Sequence, residues 1–431
     1  MRSITFWVSL QLLLVLVGSG QVFSSATPAP TPTLEERVAR LESLSGTAME
    51  GAGVPLQAYW KRGLVITSAD RKFEMTVRGR LHLDAATWSA ENALLDRVGK
   101  MEKNAEIRRA RIGVEGLIYG WIAYKLEYDF ADSYHKLTDG FVQLLRIPLL
   151  SQITIGQEAR AFGLDPGPSS NYQTFLEAAD TIIFGAGRQL GISMGGPVFG
   201  ERASWAAQVY QMSDLQGQPV AKNYNLNARL TSLPVYADQG ETLMHLGLSY
   251  SRRSSRDDMS YSSRPEIHLA PTFVDTGQFA IDGGNVLAYE AALAAGPFLL
   301  QGEYYTSYLE GENGSDDLFF QGFYALAAWT VTGESTGKRY VRLYGEFDSP
   351  FIPAHDFDPS AGNWGGLELA GRVSWLDLDD GSIEGGKMLD LTAALNWYLY
   401  PELRLAVNYV HSHLNGVGDA DIVGGRCLFY F

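Results

Sequence analysis

Three short patterns in this sequence resemble chemical motifs, and each has a simpler explanation. Gly191–Gly195 fits the G-x-S-x-G pattern of serine hydrolases, but it lies inside an alternating segment, not at the strand-to-helix turn that exposes a nucleophile. His411 and His413 share a strand face and could bind a metal, but such a pair is more often an exposed face close to a loop. The acidic groups at 377–380 and 419–421 could hold Ca²⁺, but neither has EF-hand spacing, and solvated loops explain them better. The sequence therefore predicts no catalytic residue, no cofactor and no metal site, so an enzyme is not expected.

A set of basic residues could instead handle anions. Its basic members are Arg78, Arg80, Arg109, Arg111 and Lys125, and acidic residues on the same face include Glu115 and Glu127. Guanidinium groups held close together would form a basic stripe that attracts anions. The neighbouring carboxylates could equally neutralise them in a salt-bridged wall, so both interpretations stay open. A later run, Arg252, Arg253 and Arg256, is more typical of a solvated loop.

The elements that carry these residues alternate apolar and polar positions. Between Phe73 and Ala85 every second residue is apolar or small, and the positions between them are mostly charged. The pattern recurs near 122–130, 367–375, 389–400 and 403–409. A soluble sandwich buries such an apolar face against a second sheet, whereas a membrane barrel turns it to lipid and keeps the polar face inside.

Three features favour the membrane barrel. The segments reach the ~9–11 residues that a tilted strand needs to cross a bilayer. Aromatic residues cluster near segment ends, as at Trp88, Trp121 and Trp397, where interfacial belts form. The chain also ends on an alternating strand that closes with Phe431, as exported bacterial barrels typically do.

The segments fit a closed antiparallel barrel of about 16 strands with both termini on the periplasmic side. The predicted strands lie near 73–88, 106–118, 121–130, 138–146, 151–158, 188–195, 203–212, 222–231, 241–251, 286–295, 297–308, 318–331, 363–377, 387–400, 402–413 and 422–431. Tight periplasmic turns are expected at Tyr119–Gly120, Gly296–Pro297 and Pro401. The extracellular loops are placed at 89–105, 159–187, 252–285, 309–317 and 414–421. One periplasmic connection, 332–362, is unusually long. Loop 159–187 is rich in apolar residues, so we expect it to fold into the barrel and constrict the pore.

Composition excludes several classes of protein. The 431 residues carry 49 acidic and 34 basic side chains, a net charge of −15, which argues against nucleic-acid binding. The single cysteine, Cys427, excludes an intrachain disulfide. Beyond the N-terminus no apolar run is long enough for a bundle of transmembrane helices.

The N-terminal region is predicted to have three parts. Residues 1–26 read as an export signal peptide, and 27–33 as a proline-rich linker. Residues 34–45 form a short helix in which Leu34, Val38 and Leu41 follow coiled-coil spacing. This helix is either an oligomerisation element or a frayed amphipathic helix, and the barrel domain is placed at 70–431.

The barrel region resembles the phosphate-selective porin O and P family. The resemblance rests on several ordered stretches: Arg108–Gly116, Tyr124–Phe130, Ser170–Glu177, Thr330–Glu334, Leu367–Ser374 and Leu395–Tyr398. It implies a sixteen-stranded, trimeric outer-membrane porin with loops folded into the lumen, a periplasmic insertion like 332–362, and arginines and lysines that conduct phosphate-like anions. The sequence lacks an Arg-x-Arg-x-Arg ladder, so we expect passive diffusion of small hydrophilic solutes or ions with only weak anion selectivity.

The expected partners are therefore outer-membrane lipid, small anions or hydrophilic solutes, and two further copies in a homotrimer, with no nucleic acid. The alternative function is a secreted or surface-attached β-rich protein that acts on or binds carbohydrate. A heat-dependent gel shift is typical of the barrel, whereas release without detergent is typical of the alternative.

Overall fold

A computed structural model describes residues 54–431 except 101, 132–135, 149, 160–161, 166–168, 186 and 213–222. The predicted signal peptide (1–26), linker (27–33) and coiled-coil helix (34–45) lie outside the described residues. Within the described part of the chain, one antiparallel sheet contains 18 strands.

The strands are β1 (Leu56–Trp60), β2 (Leu64–Ser68), β3 (Glu74–Ala90), β4 (Ala105–Ile118), β5 (Ile122–Asp129), β6 (Lys136–Ile147), β7 (Ser151–Ala159), β8 (Arg188–Val198), β9 (Ala203–Gln211), β10 (Asn225–Ala237), β11 (Thr242–Met259), β12 (Ser262–Ser263), β13 (Val274–Asp275), β14 (Phe279–Ala295), β15 (Phe298–Gly311), β16 (Leu318–Thr330), β17 (Gly366–Asp380), β18 (Ile383–Tyr400), β19 (Leu403–Leu414) and β20 (Gly418–Tyr430). One α-helix, α1, covers Asn92–Val98, and short 3₁₀ helices cover Asp180–Phe184, Asp238–Gly240, Glu312–Gly314, Gly337–Arg339 and Pro359–Ala361.

Sixteen of the described strands, β3–β11 and β14–β20, close into a barrel. Each pairs antiparallel with the next, and β20 returns to β3 from Ala420 opposite Ala90 to Tyr430 opposite Arg80. Each of them overlaps one of the predicted segments, so the predicted strand count and closed antiparallel topology are confirmed. The residual pair, β1 and β2, forms a hairpin that joins the sheet beside the start of β3.

The distribution of burial is the reverse of that in a soluble protein. On β18, Leu391 and Leu395 point outward with 48% and 40% of their surface exposed, while Asp390 and Asn396 are fully buried inside. A sandwich would bury the leucines against a second sheet. The exposed apolar wall and polar interior are those of a membrane barrel. No helix among the described residues is long and apolar enough to cross a bilayer.

Short turns occupy the end of the barrel where the C-terminal strand finishes. Tyr119 and Gly120 both adopt left-handed backbone geometry, with φ of 56° and 72°, the pattern of a two-residue turn that matches strand twist and favours glycine at its second position. The predicted short turns at Gly296–Pro297 and Pro401 are also found between consecutive strands. The connection between β16 and β17 is long and shares this periplasmic end, as predicted.

Two boundaries differ from prediction. Strand β11 continues to Met259, so Arg252, Arg253 and Arg256 belong to a strand and not to a loop. Arg253 is only 7% exposed and donates to the Phe184 carbonyl (2.7 Å), so a solvated loop was the wrong interpretation for this residue. The extra length comes from pairing with β14, which begins at Phe279. Helix α1 and the small β12–β13 hairpin were not predicted.

Connecting segments pack inside the barrel. Side chains from loop 160–187 and loop 260–278 form an apolar cluster with inward-facing residues of β14–β18. Its loop members include Phe162, Phe184, Tyr261 and Phe273, each no more than 6% exposed. The cluster shields the apolar side chains of loop 159–187 from water. The predicted inward folding of that loop is therefore confirmed.

Candidate functional site

The predicted basic residues stand together on the inner wall near the seam of the barrel. Arg80 on β3 lies directly opposite Arg111 on β4, and His82 lies opposite Arg109. Arg78 is two residues before Arg80 on the same face, and Lys125 follows on β5. Strand register therefore brings together residues from three neighbouring strands, as the period-2 alternation requires.

Each of these five residues has an acidic partner. Arg78 pairs with Glu115 (2.8 Å), Lys125 with Asp139 (2.8 Å), and Arg109 with Glu177 (3.5 Å). Arg80 and Arg111 share Glu127 at 2.8 and 3.1 Å, and Arg111 also contacts Asp129 at 2.7 Å. Of the two open interpretations, this geometry favours the salt-bridged wall over a stripe of free guanidiniums.

A β-bulge adds a residue that alternation misses. The register passes from His82 opposite Arg109 to Leu83 opposite Ile107, so Arg108 has no partner position on β3. The bulge turns consecutive residues to the same side, and Arg108 joins Arg109 at Glu177 inside the lumen. Strict alternation would have pointed Arg108 towards lipid, where a charged side chain is unfavourable. That conflict was the feature of the sequence from which a bulge could have been predicted.

Glu177 of loop 160–187 is the ionic anchor of that loop. Arg108 makes two bonds to its carboxylate (2.9 and 3.0 Å) and Arg426 of β20 adds one at 2.7 Å. Burial would raise the pKa of Glu177, but Arg109, Arg108 and Arg426 outweigh it and hold the pKa well below its usual range. The carboxylate is therefore charged at neutral pH and pins the loop to β4 and β20.

The backbone of the same loop is held by side chains of strands β17–β20 and of the β16–β17 connection. Carbonyl oxygens between 172 and 177 accept hydrogen bonds from a set of wall and periplasmic side chains: Arg339, Arg404, Asn396, Arg426 and Arg372. The start of the loop is fixed by Glu303, whose carboxylate accepts from the amides of Leu164 (2.6 Å) and Asp165 (2.8 Å). These arginines support a loop and are not available to a solute.

The periplasmic connection enters from the other end and meets the loop. Arg229 donates to the carbonyls of Tyr344 (2.7 Å) and Gly345 (3.0 Å). Phe351 stacks on Tyr398 with ring centroids 4.0 Å apart. The Asp348 carboxylate accepts from the amide of Ser169 at 2.7 Å, which joins the two inserted segments. The inward folding that the family resemblance implied for 332–362 is therefore observed.

Open space lies along the inner face of β3–β10. A cavity of about 270 Å³ adjoins one of about 300 Å³ at the periplasmic mouth, and they share Arg80, Lys125, Ser169 and Asp348. The charged residues that line the first cavity fall into two groups. The basic ones are Arg80, Lys125, Arg188 and Arg229, and the acidic ones are Asp139, Glu158, Glu346 and Asp348. A third cavity of about 350 Å³ lies at the extracellular end, beside Arg108 and His268.

Burial changes the charge balance of this passage. It raises the pKa of Glu346 to about 8, with a further contribution from neighbouring Asp348. Burial also raises the pKa of Asp348. With Glu346 protonated at neutral pH, the four basic groups lining the first cavity face only three other carboxyl groups, those of Asp139, Glu158 and Asp348. Sequence reasoning missed Arg188, Asp139 and Glu346, because neither strand alternation nor local spacing indicates which residues face the open space.

The motifs first considered for chemistry have structural explanations. Gly191–Gly195 lies within β8. His411 and His413 pair with Asp421 and Asp419 across β19 and β20 at 2.9 and 2.5 Å. Lys387 pairs with Asp377 at 2.8 Å. These residues need no catalytic explanation, and the polar cavities along the inner wall support a passage between the two faces of the membrane.

Comparison with known proteins gives a consistent result. The sequence model of the family described as phosphate-selective porin O and P matches residues 75–431. An uncharacterised protein of Caulobacter vibrioides is 30% identical over 392 residues, which cover 89% of this chain and 76% of that protein. Porin O of Pseudomonas aeruginosa is 25% identical over 443 residues, covering 90% and 95%. In fold, the loop L8 deletion mutant of OmpT, an outer membrane protein of Vibrio cholerae, superposes with a TM-score of 0.53 at 11% identity, covering 84% of this chain and 100% of that one.

Proposed function

Because this chain belongs to the phosphate-selective porin O and P family of the outer membrane, we propose that it passes small hydrophilic solutes and ions with a weak preference for anions, phosphate among them. Family and fold indicate a channel rather than an enzyme. Diffusion is passive, since a polar passage between two solutions needs no energy source. The surrounding partner is outer-membrane lipid, which the exposed apolar wall contacts.

The anion preference is supported by the lining of the 270 Å³ cavity. Arg80, Lys125 and Arg188 line this cavity together with Glu346, whose carboxyl group stays protonated because burial raises its pKa. A small excess of positive charge in a narrow passage raises the local anion concentration. The predicted pore-lining residues contribute unequally. Five of them border the two cavities: Arg78, Arg80, Lys125, Glu115 and Glu127. Arg109 and Arg111 do not line either cavity and influence it only through their salt bridges to Glu177, Glu127 and Asp129.

The preference is weak because the basic groups are already paired. A tight phosphate site uses several guanidinium or ammonium donors that converge on the anion. Here Lys125 and Arg188 both contact Asp139 at 2.8 Å, and Arg80 contacts Glu127. An anion must compete with these carboxylates, so it passes without being held.

We further propose a homotrimer, following the family resemblance, with the predicted helix at 34–45 as a contact around the threefold axis. Three copies would bury Leu34, Val38 and Leu41, which a single short helix cannot bury by itself.

A charge-neutralising pair tests the selectivity. Lys125→Gln removes one positive charge from the cavity and should move the reversal potential in a phosphate or chloride gradient toward cations. Asp139→Asn removes the carboxylate that Lys125 and Arg188 share and should move it toward anions. The double variant should return close to the wild type, since the two changes cancel. A wild-type channel that strongly prefers cations, or single variants that leave the reversal potential unchanged, would contradict the proposal.

A further inference from the structure

Three carboxylates from distant parts of the chain meet inside the barrel. Asp180 belongs to loop 160–187, Glu266 to loop 260–278 and Asp390 to strand β18, and one oxygen of each lies within 4.8 Å of the other two. Their side chains are buried, with 3%, 2% and 0% of the residue surface exposed. Bringing carboxylates this close without water is unfavourable unless a positive charge or protons compensate.

Several polar atoms in this cluster lack a partner among the described residues. Neither carboxylate oxygen of Asp390 accepts a hydrogen bond of normal length and angle, and neither does Oδ2 of Asp180. The hydroxyl of Ser412 is fully buried directly opposite Asp390 on β19; it lies beside the Asp390 carboxylate but makes no hydrogen bond of normal length and angle within the described part of the chain. Buried polar atoms are nearly always satisfied, so these oxygens indicate a ligand that accepts electron pairs.

The protein supplies too little positive charge of its own. Arg372 contacts Glu266 at 2.7 Å and Asp165 at 3.8 Å. Glu266 is further held by hydroxyl groups of Ser374 and Thr392. One guanidinium therefore faces the carboxylates of Asp165, Asp180, Glu266 and Asp390. A divalent cation would balance most of the excess negative charge.

From this geometry we propose that Asp180, Glu266 and Asp390, with the hydroxyl of Ser412, bind one Ca²⁺ ion that fastens both inward loops to strand β18. The donors are all oxygen, which selects a hard cation. Calcium–oxygen distances of ~2.3–2.6 Å allow two ligand oxygens to lie up to about 5.2 Å apart, so three oxygens that all lie within 4.8 Å of one another can share one ion. Mg²⁺, with bonds of ~2.0–2.1 Å, needs a tighter and more regular shell.

The ion would have a structural role that is independent of solute passage. Asp180 and Glu266 lie on different extracellular loops, so a shared ion would couple the positions of the two loops. The sequence offered no signal for it, because the three residues are far apart in the chain and none belongs to a calcium motif. The acidic groups at 377–380 and 419–421, which the sequence does suggest, are occupied by lysine, histidine and backbone partners.

The test uses the full exported protein purified in detergent, stripped with EDTA and desalted. Calorimetric titration with CaCl₂ should show one ion per chain, and Ca²⁺ should raise the thermal unfolding midpoint. Asp390→Asn and Asp180→Asn keep the side-chain shape and should each abolish the binding. In EDTA, Asp390→Asn should unfold at a higher temperature than the wild type, because one buried negative charge is gone. In Ca²⁺ the order should reverse.

Asp419→Asn is the matched control, since that carboxylate pairs with exposed His413 and should not affect the calcium response. If the cluster is balanced by protons instead of an ion, the wild type will show neither calorimetric binding nor a Ca²⁺-dependent midpoint, and the proposal is overturned. Undiminished binding by both Asp390→Asn and Asp180→Asn overturns it as well. A failure of either variant to fold leaves the wild-type titration as the deciding measurement.

Discussion

Raising the pH from about 6.5 to about 9.5 should weaken the anion preference of this pore, because Glu346 becomes ionised in that interval. Its pKa is raised to about 8 by burial and by Asp348. Below pH 8 the carboxyl group is neutral, and the cavity has its small positive excess. Above pH 8 an added negative charge cancels that excess, so the change must favour cations and not anions.

The size of the effect follows from the cavity. Since a space of 270 Å³ is about 8 Å across, an ion at its centre lies roughly 6 Å from a lining carboxylate, where one unit charge changes its energy by about 0.7 kcal/mol in a medium as polar as water. A Debye length of about 8 Å reduces this to about 0.3 kcal/mol. Anions lose and cations gain by that amount, so the permeability ratio should change by about threefold.

Planar-bilayer recordings of the reversal potential in a salt gradient measure this ratio directly. The wild type should shift toward cations as the pH rises, whereas Glu346→Gln should keep the low-pH value throughout. Asp348→Asn serves as a second variant, because the pKa of Asp348 is also raised and its contribution must be separated. A wild-type potential that does not respond to pH, or an equal response in Glu346→Gln, would refute the assignment of Glu346 as the titrating group.

Two further predictions concern the loop and the assembly. Glu177→Gln should destabilise the protein by about 3–5 kcal/mol, because buried Arg108, Arg109 and Arg426 lose the charge they share, and single-channel recordings should show a noisier open level. Glu310→Gln, which removes the partly exposed partner of Arg252, should cost about 0–1 kcal/mol in the same denaturation assay, and equal losses would argue against Glu177 as the anchor. Deletion of residues 27–45 should weaken the trimer on unheated gels while the heat-modifiable barrel band persists, and loss of the barrel band would give the N-terminal helix a different role.

The barrel could be predicted because lipid imposes a simple rule on each strand. Every second residue must be apolar, so a segment such as Leu389–Leu399 reveals its structure without knowledge of its neighbours. The same rule placed Arg80 and Arg111 on neighbouring strands facing the lumen, and the structure adds that they lie directly opposite each other. It fails where the backbone leaves the regular ladder, as at the bulge that turns Arg108 inward.

The details of the lumen depend on contacts that no local pattern records. Glu177 meets Arg426, which lies 249 residues later in the chain, and Asp348 meets Ser169 only because two segments enter from opposite ends. Asp180, Glu266 and Asp390 come together for the same reason. Each inserted segment is an irregular stretch whose path is set by side-chain bonds to the wall, and a periodicity of 2 carries no information about such a path.

Charge counts are a poor guide to selectivity in this architecture, because the lumen uses its arginines in two different ways. Arg372, Arg404 and Arg426 donate to loop carbonyls and are at most 4% exposed, so they contribute to folding and act on a passing ion only from behind other atoms. Lys125 and Arg188 border open space and act on it directly. The net charge of −15 includes exposed loop carboxylates that salt screens from the passage. Selectivity should therefore follow the few groups that face the cavity, and a change at Lys125 should alter it more than a change at Arg404, although each removes one positive charge.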